Sequence, residues 1–201
     1  LKIAIIEPST HHWYQPAWTL VGAGTYKMEQ TKRKEKKFIP NGVDWIKEYA
    51  ADIKADDNIV VLQSGKEIGY DYLVVAPGLV MNYDKIEGLE DALQTPYVCS
   101  NYTDPEHTWE VLQNFKGGNA VFTQPDTPIK CGGAPQKIMY LAEEHFQKAG
   151  VRGQSNVIYA TPGSVIFGVE PFKAELERIV KEKNIDFKPF YAPRKINTDE
   201  K

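Results

Sequence analysis

The residues best suited to covalent chemistry lie in the run Thr127-Pro-Ile-Lys-Cys-Gly-Gly-Ala-Pro-Gln-Lys137. Pro135 fits the first turn of a helix expected over Ala134 to Lys148, which puts Cys131 just upstream of a helix N-terminus. Gly132 and Gly133 permit close backbone approach, and Lys130 and Lys137 add positive charge nearby. The exposed amides of a helix start and a neighbouring cation both favour thiolate over thiol, the form that nucleophilic or redox sulfur chemistry uses. The plainer alternative is a buried structural cysteine. Cys99, in TPYVCSNYT, has no such surroundings and takes that reading.

Other chemistries fit the residues less well. Cys131, five residues, then Lys137 is similar in spacing to the anion loop of cysteine phosphatases and rhodanese-like proteins, but there an Arg closes the loop, and Lys loses the bidentate fork. Residues 125–130 also separate Cys131 from the preceding strand, whereas such a loop follows its strand closely. Two Cys and four His show no metal-ligand spacing and are too few for a disulfide framework. Glu7 ends the first apolar run, where a dinucleotide-binding unit places the carboxylate that bonds a ribose hydroxyl, yet a lone strand-end acid is equally a solvated one. Gly22-Ala23-Gly24 lacks the third glycine of a phosphate loop, since Lys27 stands in its place.

These residues need a scaffold, and the composition supplies one. The chain has 201 residues, 42% hydrophobic and 25% charged, with 15 Gly and 13 Pro, which is an ordinary folded globular profile and excludes disorder, collagen and disulfide scaffolds. A net charge of −3 argues against nucleic acid as the main partner. One local exception is Lys27, Lys32, Arg33, Lys34, Lys36 and Lys37 against Glu29 and Glu35, a balance of +4 that leaves −7 elsewhere. That stretch is a solvated basic loop or a contact for an anionic surface such as a headgroup layer. No run is long and apolar enough to span a membrane. Leu1 opens directly inside an apolar strand without an initiator Met, so the chain is expected to be a piece of a longer polypeptide.

The expected order of elements begins with a buried strand at Lys2 to Ile6. From Trp45 to Gly78 a near-alternating pattern with a Ser64-Gly65 turn predicts an antiparallel meander, its last strand, Tyr72 to Val75, returning to a buried sheet. Asn82 to Gln94 is the expected domain boundary. Asp104-Pro105-Glu106 starts a helix, and strands at Ala120 to Thr123, Asn156 to Ala160 and Ile185 to Phe190 then alternate with helices at Ala134 to Lys148 and Glu170 to Lys183. This alternation implies a doubly wound parallel sheet covered on both faces.

KIAIIEPSTHHWYQPAWTLVGAG, IPNGVDWI, YDYLVVAPG and TPIKCGGAPQKIMYL, in this order, resemble the mitochondrial type of sulfide:quinone oxidoreductase, a flavoprotein with two dinucleotide-binding domains. The resemblance implies an α/β chain of two doubly wound, Rossmann-like domains, both incomplete, with an inserted meander. Residues 1–81 would be the remainder of the FAD-binding domain and residues 82–201 the second dinucleotide-type domain with the redox cysteine. It also implies FAD as cofactor, hydrogen sulfide as substrate, ubiquinone as electron acceptor, glutathione or sulfite as sulfur acceptor, and a mitochondrial enzyme in peripheral contact with the inner membrane. By position, Glu7 would hold the FAD ribose, Gln15 and Ala50 would line the nucleotide, Ala76 and Gly78 would form the turn out of the FAD domain, and Cys131 would match the family's first redox cysteine. The family's Gly-rich FAD loop and second redox cysteine have no counterpart in residues 1–201. Another FAD oxidoreductase of the pyridine-nucleotide and disulfide type, or a non-catalytic dinucleotide-binding module, would share this fold.

Overall fold

The computed structural model describes residues 1–127, 129 and 131–200. They form two compact units, one of Leu1–Gln15 with Glu29–Met81, the other of Pro16–Met28 with Asn82–Lys201.

In the first unit the isoleucine-rich opening forms β1 (Ala4–Ile6). Two short strands follow, β2 (His11–Trp13) and β3 (Lys32–Lys34), paired as an antiparallel ribbon with His12 opposite Arg33. β4 (Asp44–Ile46) then returns to lie parallel to β1, Ile5 opposite Trp45. The pairing continues past the strand end: the Glu7 N–H donates to the Ile46 carbonyl at 3.0 Å, and the Trp45 indole N–H to the Glu7 carbonyl at 2.8 Å. Trp45 was expected to open the meander; these long-range bonds to β1 place it in the parallel pair instead. The meander itself is β5 (Ala50–Lys54), β6 (Ile59–Leu62) and β7 (Glu67–Gly69), antiparallel in that order. Val60 and Leu62, two residues apart and so on one side of β6, are buried.

Tyr72 to Val75 forms no strand. Tyr72 and Val74 are 93% and 91% exposed, and Val80 beyond them 92%. An apolar run becomes a buried strand only where a neighbour offers its edge. Here β6 already lies between β5 and β7, and no described strand pairs with residues 72–75.

The second unit begins with α1 (Trp18–Gly22), packed against α3 (Pro105–Asn114); a short α2 (Leu89–Ala92) lies between them in the chain. α3 starts as its residue types require: the Asp104 carboxylate accepts from the His107 N–H at 2.9 Å, and Pro105 occupies the first turn. Gly22 and Gly24 serve this packing. A side chain at Gly22 would collide with Asn101, and one at Gly24, whose φ is +70°, with the Trp109 ring. β8 (Gly118–Thr123), α4 (Ala134–Lys148), β9 (Ser155–Thr161), α5 (Phe172–Glu182) and β10 (Asp186–Pro189) follow, and the strands pair in parallel in the order β8-β9-β10.

Ile138, Met139, Ala142 and Phe146 form the apolar stripe of α4 and pack with Val157 and Tyr159 of β9, Val180 of α5 and Ile185. Burying Met139, Phe146 and Val157 contributes about 1.5–3 kcal/mol each. The cover expected on both faces of the sheet is present on one, because Val121 on the other side of β8 is 57% exposed. Glu143, buried on α4, ties the helices together. Its carboxylate accepts from Gln147 and Lys183 at 2.5 Å each and from Arg152 at 3.2 Å, while Arg152 also donates to the Ser155, Lys183 and Asn184 carbonyls.

Candidate functional site

Cys131 is exposed and carries a free thiol. The chain turns from it directly into α4: the Cys131 carbonyl accepts from the Ala134 N–H at 3.2 Å and the Gly133 carbonyl from the Lys137 N–H at 2.9 Å. Gly133 is the N-cap residue, and no side chain caps the helix. The first-turn amides therefore lack a side-chain acceptor. A Cβ built at Gly133 would meet nothing within 4 Å, and one at Gly132 would meet only Phe167, at 3.7 Å. Lys137 is exposed in the first turn. Lys130, the other cation expected near the thiol, lies outside the described residues, as does Pro128.

Behind this turn α4 carries two buried polar groups that the sequence reading did not single out. Gln136 is 4% exposed; its amide donates to the Ile166 carbonyl at 3.3 Å, while its side-chain oxygen has no partner among the described residues. Tyr140, one turn further, has a hydroxyl without a partner among the described residues, and burial pushes it up to about 12. Burial, with Tyr140 adding to it, likewise pushes Tyr159 up to about 12, and its hydroxyl donates to Gln124 at 3.2 Å. The available signal was the pair Gln136 and Tyr140, spaced i and i+4 on the helix's apolar side.

Cys99 is of the other kind. It is free and partly buried, and burial raises its thiol above the ordinary value against a hydrogen bond with Thr108 that lowers it.

Glu7, Gln15, Ala50, Ala76 and Gly78 all belong to the first unit. Glu7 sits at the C-terminal end of β1, partly exposed; one carboxylate oxygen accepts from the Ser9 N–H at 2.6 Å. An acceptor-only carboxylate at the carboxyl end of a parallel strand fits a vicinal diol such as a ribose. Gln15 is partly buried at the start of a 3₁₀ turn, Gln15–Ala17, and Ala50 is exposed at the start of β5. Ala76 and Gly78 are exposed in the unpaired stretch after residue 75, with Gly78 at φ +85°. The strand that was to lead into their turn is absent.

No protein-family model matches the chain. The mitochondrial sulfide:quinone oxidoreductase of Mus musculus is 46% identical over 186 residues, 92% of this chain and 41% of that protein. That of Dictyostelium discoideum is 41% identical over 187 residues, again 92% and 41%. The crystal structure of the sulfide:quinone oxidoreductase from Aquifex aeolicus superposes with a TM-score of 0.79 at 26% identity, covering 98% of this chain and 47% of that one. The chain is a homologue of the sulfide:quinone oxidoreductases. It spans about two fifths of the length of the curated sulfide:quinone oxidoreductases it matches. A remoter likeness, to NDH2 from Plasmodium falciparum solved with NADH (TM-score 0.65, 14% identity), concerns the fold alone, which is that of the α/β dinucleotide-binding oxidoreductases.

Proposed function

We propose that this chain is the part of a sulfide:quinone oxidoreductase that carries the sulfur-reactive thiol Cys131 and part of the flavin site. The observation that carries the reading is an exposed cysteine ahead of an uncapped helix, in a chain homologous to enzymes of that name over nearly its whole length.

In this reading residues 1–81 are the remainder of an FAD-binding domain and residues 82–201 a second dinucleotide-type domain. Glu7 would accept from the FAD ribose hydroxyls, Gln15 and Ala50 would line the nucleotide, and Ala76 and Gly78 would form the exit turn. Bound FAD supplies a two-electron acceptor that passes its electrons to ubiquinone. The protein's part is sulfur exchange. Hydrosulfide attacks a sulfur atom bonded to Cys131, a new S–S bond forms as the bond to Cys131 breaks, and the electron pair leaves with the Cys131 thiolate. In this reading the N-terminal end of α4, which begins three residues after Cys131, stabilises that leaving charge. The hydrosulfide sulfur, now the outer atom of the new S–S bond, passes as sulfane sulfur to a small thiol or sulfite acceptor such as glutathione, and its bonding partner leaves as a thiolate. The reading includes inner-membrane contact in mitochondria, for which the quinone acceptor is the chemical reason and to which the relatives' names add the mitochondrion alone.

The test is sulfide-dependent reduction of a water-soluble quinone by the full-length polypeptide carrying this chain, with visible flavin absorbance read alongside. Turnover that needs both sulfide and quinone supports the reading. A flavin-containing protein that oxidises NADH and ignores sulfide would overturn it in favour of another flavin oxidoreductase.

A further inference from the structure

The strongest charge feature of the molecule lies in the first unit, apart from the residues given roles above. β3 and the 3₁₀ turn after it, Glu35–Lys37, place Lys32, Arg33, Lys34, Lys36 and Lys37 within six residues, on a chain whose net charge is −3. The one acid among them, Glu35, is turned toward His12, its carboxylate 3.7 Å from the ring nitrogen and its side chain only 14% exposed. Arg33, Lys34, Lys36 and Lys37 are exposed. The Arg33 guanidinium donates to the Gln30 and Lys32 carbonyls, both at 2.8 Å, and among the described residues no acid pairs with Lys34, Lys36 or Lys37. Aromatic rings lie beside the cations. Phe38 is 49% exposed and lies tilted against His12 with ring centroids 4.5 Å apart, Tyr14 is 59% exposed, and Lys32 lies over the Trp13 ring.

We infer that the β2–β3 ribbon and the turn that follows it are a contact surface for an anionic phospholipid bilayer. Unpaired cations interleaved with exposed aromatic rings match a layer that is anionic at its headgroups and apolar just beneath. Nucleic acid matches less well: the ribbon is three residues long per strand and forms no groove, and the remainder of the chain, at −7, would repel an extended polyanion. The inference rests on the membrane contact proposed above and gives it a place on the chain; quinone reductase activity, read in parallel, tells failure of this surface from failure of the oxidoreductase reading.

The experiment sediments the full-length polypeptide with vesicles of phosphatidylcholine alone and of phosphatidylcholine mixed with phosphatidylglycerol, at low and at physiological salt, with quinone reductase activity assayed in detergent in parallel. Binding is expected only to the anionic vesicles, weaker as salt rises. It should fall at least about tenfold when Arg33, Lys34, Lys36 and Lys37 are all replaced by Gln, while Lys66→Gln, on the meander, binds as the parent. The pair Lys36→Glu and Lys37→Glu, on the exposed turn and outside the ribbon's ladder, should lose binding too, which separates lost charge from lost folding. Equal binding by these variants and the parent would overturn the inference. So would indifference to phosphatidylglycerol, or a preference for an RNA oligonucleotide over the anionic vesicles.

Discussion

Burial raises the Cys99 thiol above its ordinary value and shields it, whereas Cys131 lies exposed ahead of α4. In the folded protein iodoacetamide should label Cys131 at least about tenfold faster than Cys99, read by peptide mass spectrometry; equal rates would contradict the contrast. Glu143 makes a second residue-scale prediction. Burial pushes its carboxyl up, but the hydrogen bonds from Lys183, Gln147 and Arg152 and the charge of Lys183 outweigh this and hold it below the ordinary carboxylate value. A lowered folded-state pKa stabilises the fold above the unfolded carboxylate's value, and that contribution is lost as pH falls through the folded one. Acid unfolding of the parent should therefore steepen below about pH 4, and Glu143→Gln, which strands two partly buried cations, should cost roughly 2–4 kcal/mol at neutral pH by denaturant melts while flattening that acid limb. At this scale Cys131 was legible because Gly-Gly-Ala-Pro announces a helix start in the local sequence. Gln136 and Tyr140 were not, because burial of a polar helix residue is decided by Ile166 and β9, which are distant in the chain.

The start of α4 was readable from Pro135 and that of α3 from Asp104-Pro105, because caps act within a few residues. Strand partners act across tens of residues, and there the reading failed twice. Trp45 left the meander for β1, and Tyr72 to Val75 remained unpaired despite an ideal strand composition. The glycine pair before α3 shows the same division: their spacing suggested a phosphate loop and was set aside for want of a third glycine, but only the structure shows Asn101 and Trp109 filling the space in front of them. Gly24→Ala combines a positive φ with a clash against the Trp109 ring, and should destabilise the second unit by roughly 2–4 kcal/mol in thermal or urea melts. A melt unchanged within error would mean that this glycine is not a packing position.

The residues proposed for the flavin, Glu7, Gln15 and Ala50, belong to the first unit, and Cys131 belongs to the second. The Gly-rich FAD loop implied by the resemblance has no counterpart in residues 1–201, so the carboxylate and amide contacts would have to offset the ordering of a large ligand alone. The 201-residue chain expressed by itself should accordingly purify without stoichiometric flavin, judged by visible absorbance against protein; a yellow chain at one flavin per protein would show that the cofactor site has been misplaced. The likeness to the sulfide:quinone oxidoreductases was legible in the sequence because four segments stand in order between Lys2 and Leu141, while the exposed apolar stretch from Tyr72 to Met81 became visible only in three dimensions. The central claim is that the Cys131 thiol reacts with sulfur and anchors nothing. It is tested most directly by replacing Cys131 with Ser in the full-length polypeptide and measuring sulfide-dependent quinone reduction together with bound flavin. The account predicts turnover reduced at least about a hundredfold with flavin content unchanged; near-parental turnover in the Cys131→Ser protein would contradict it.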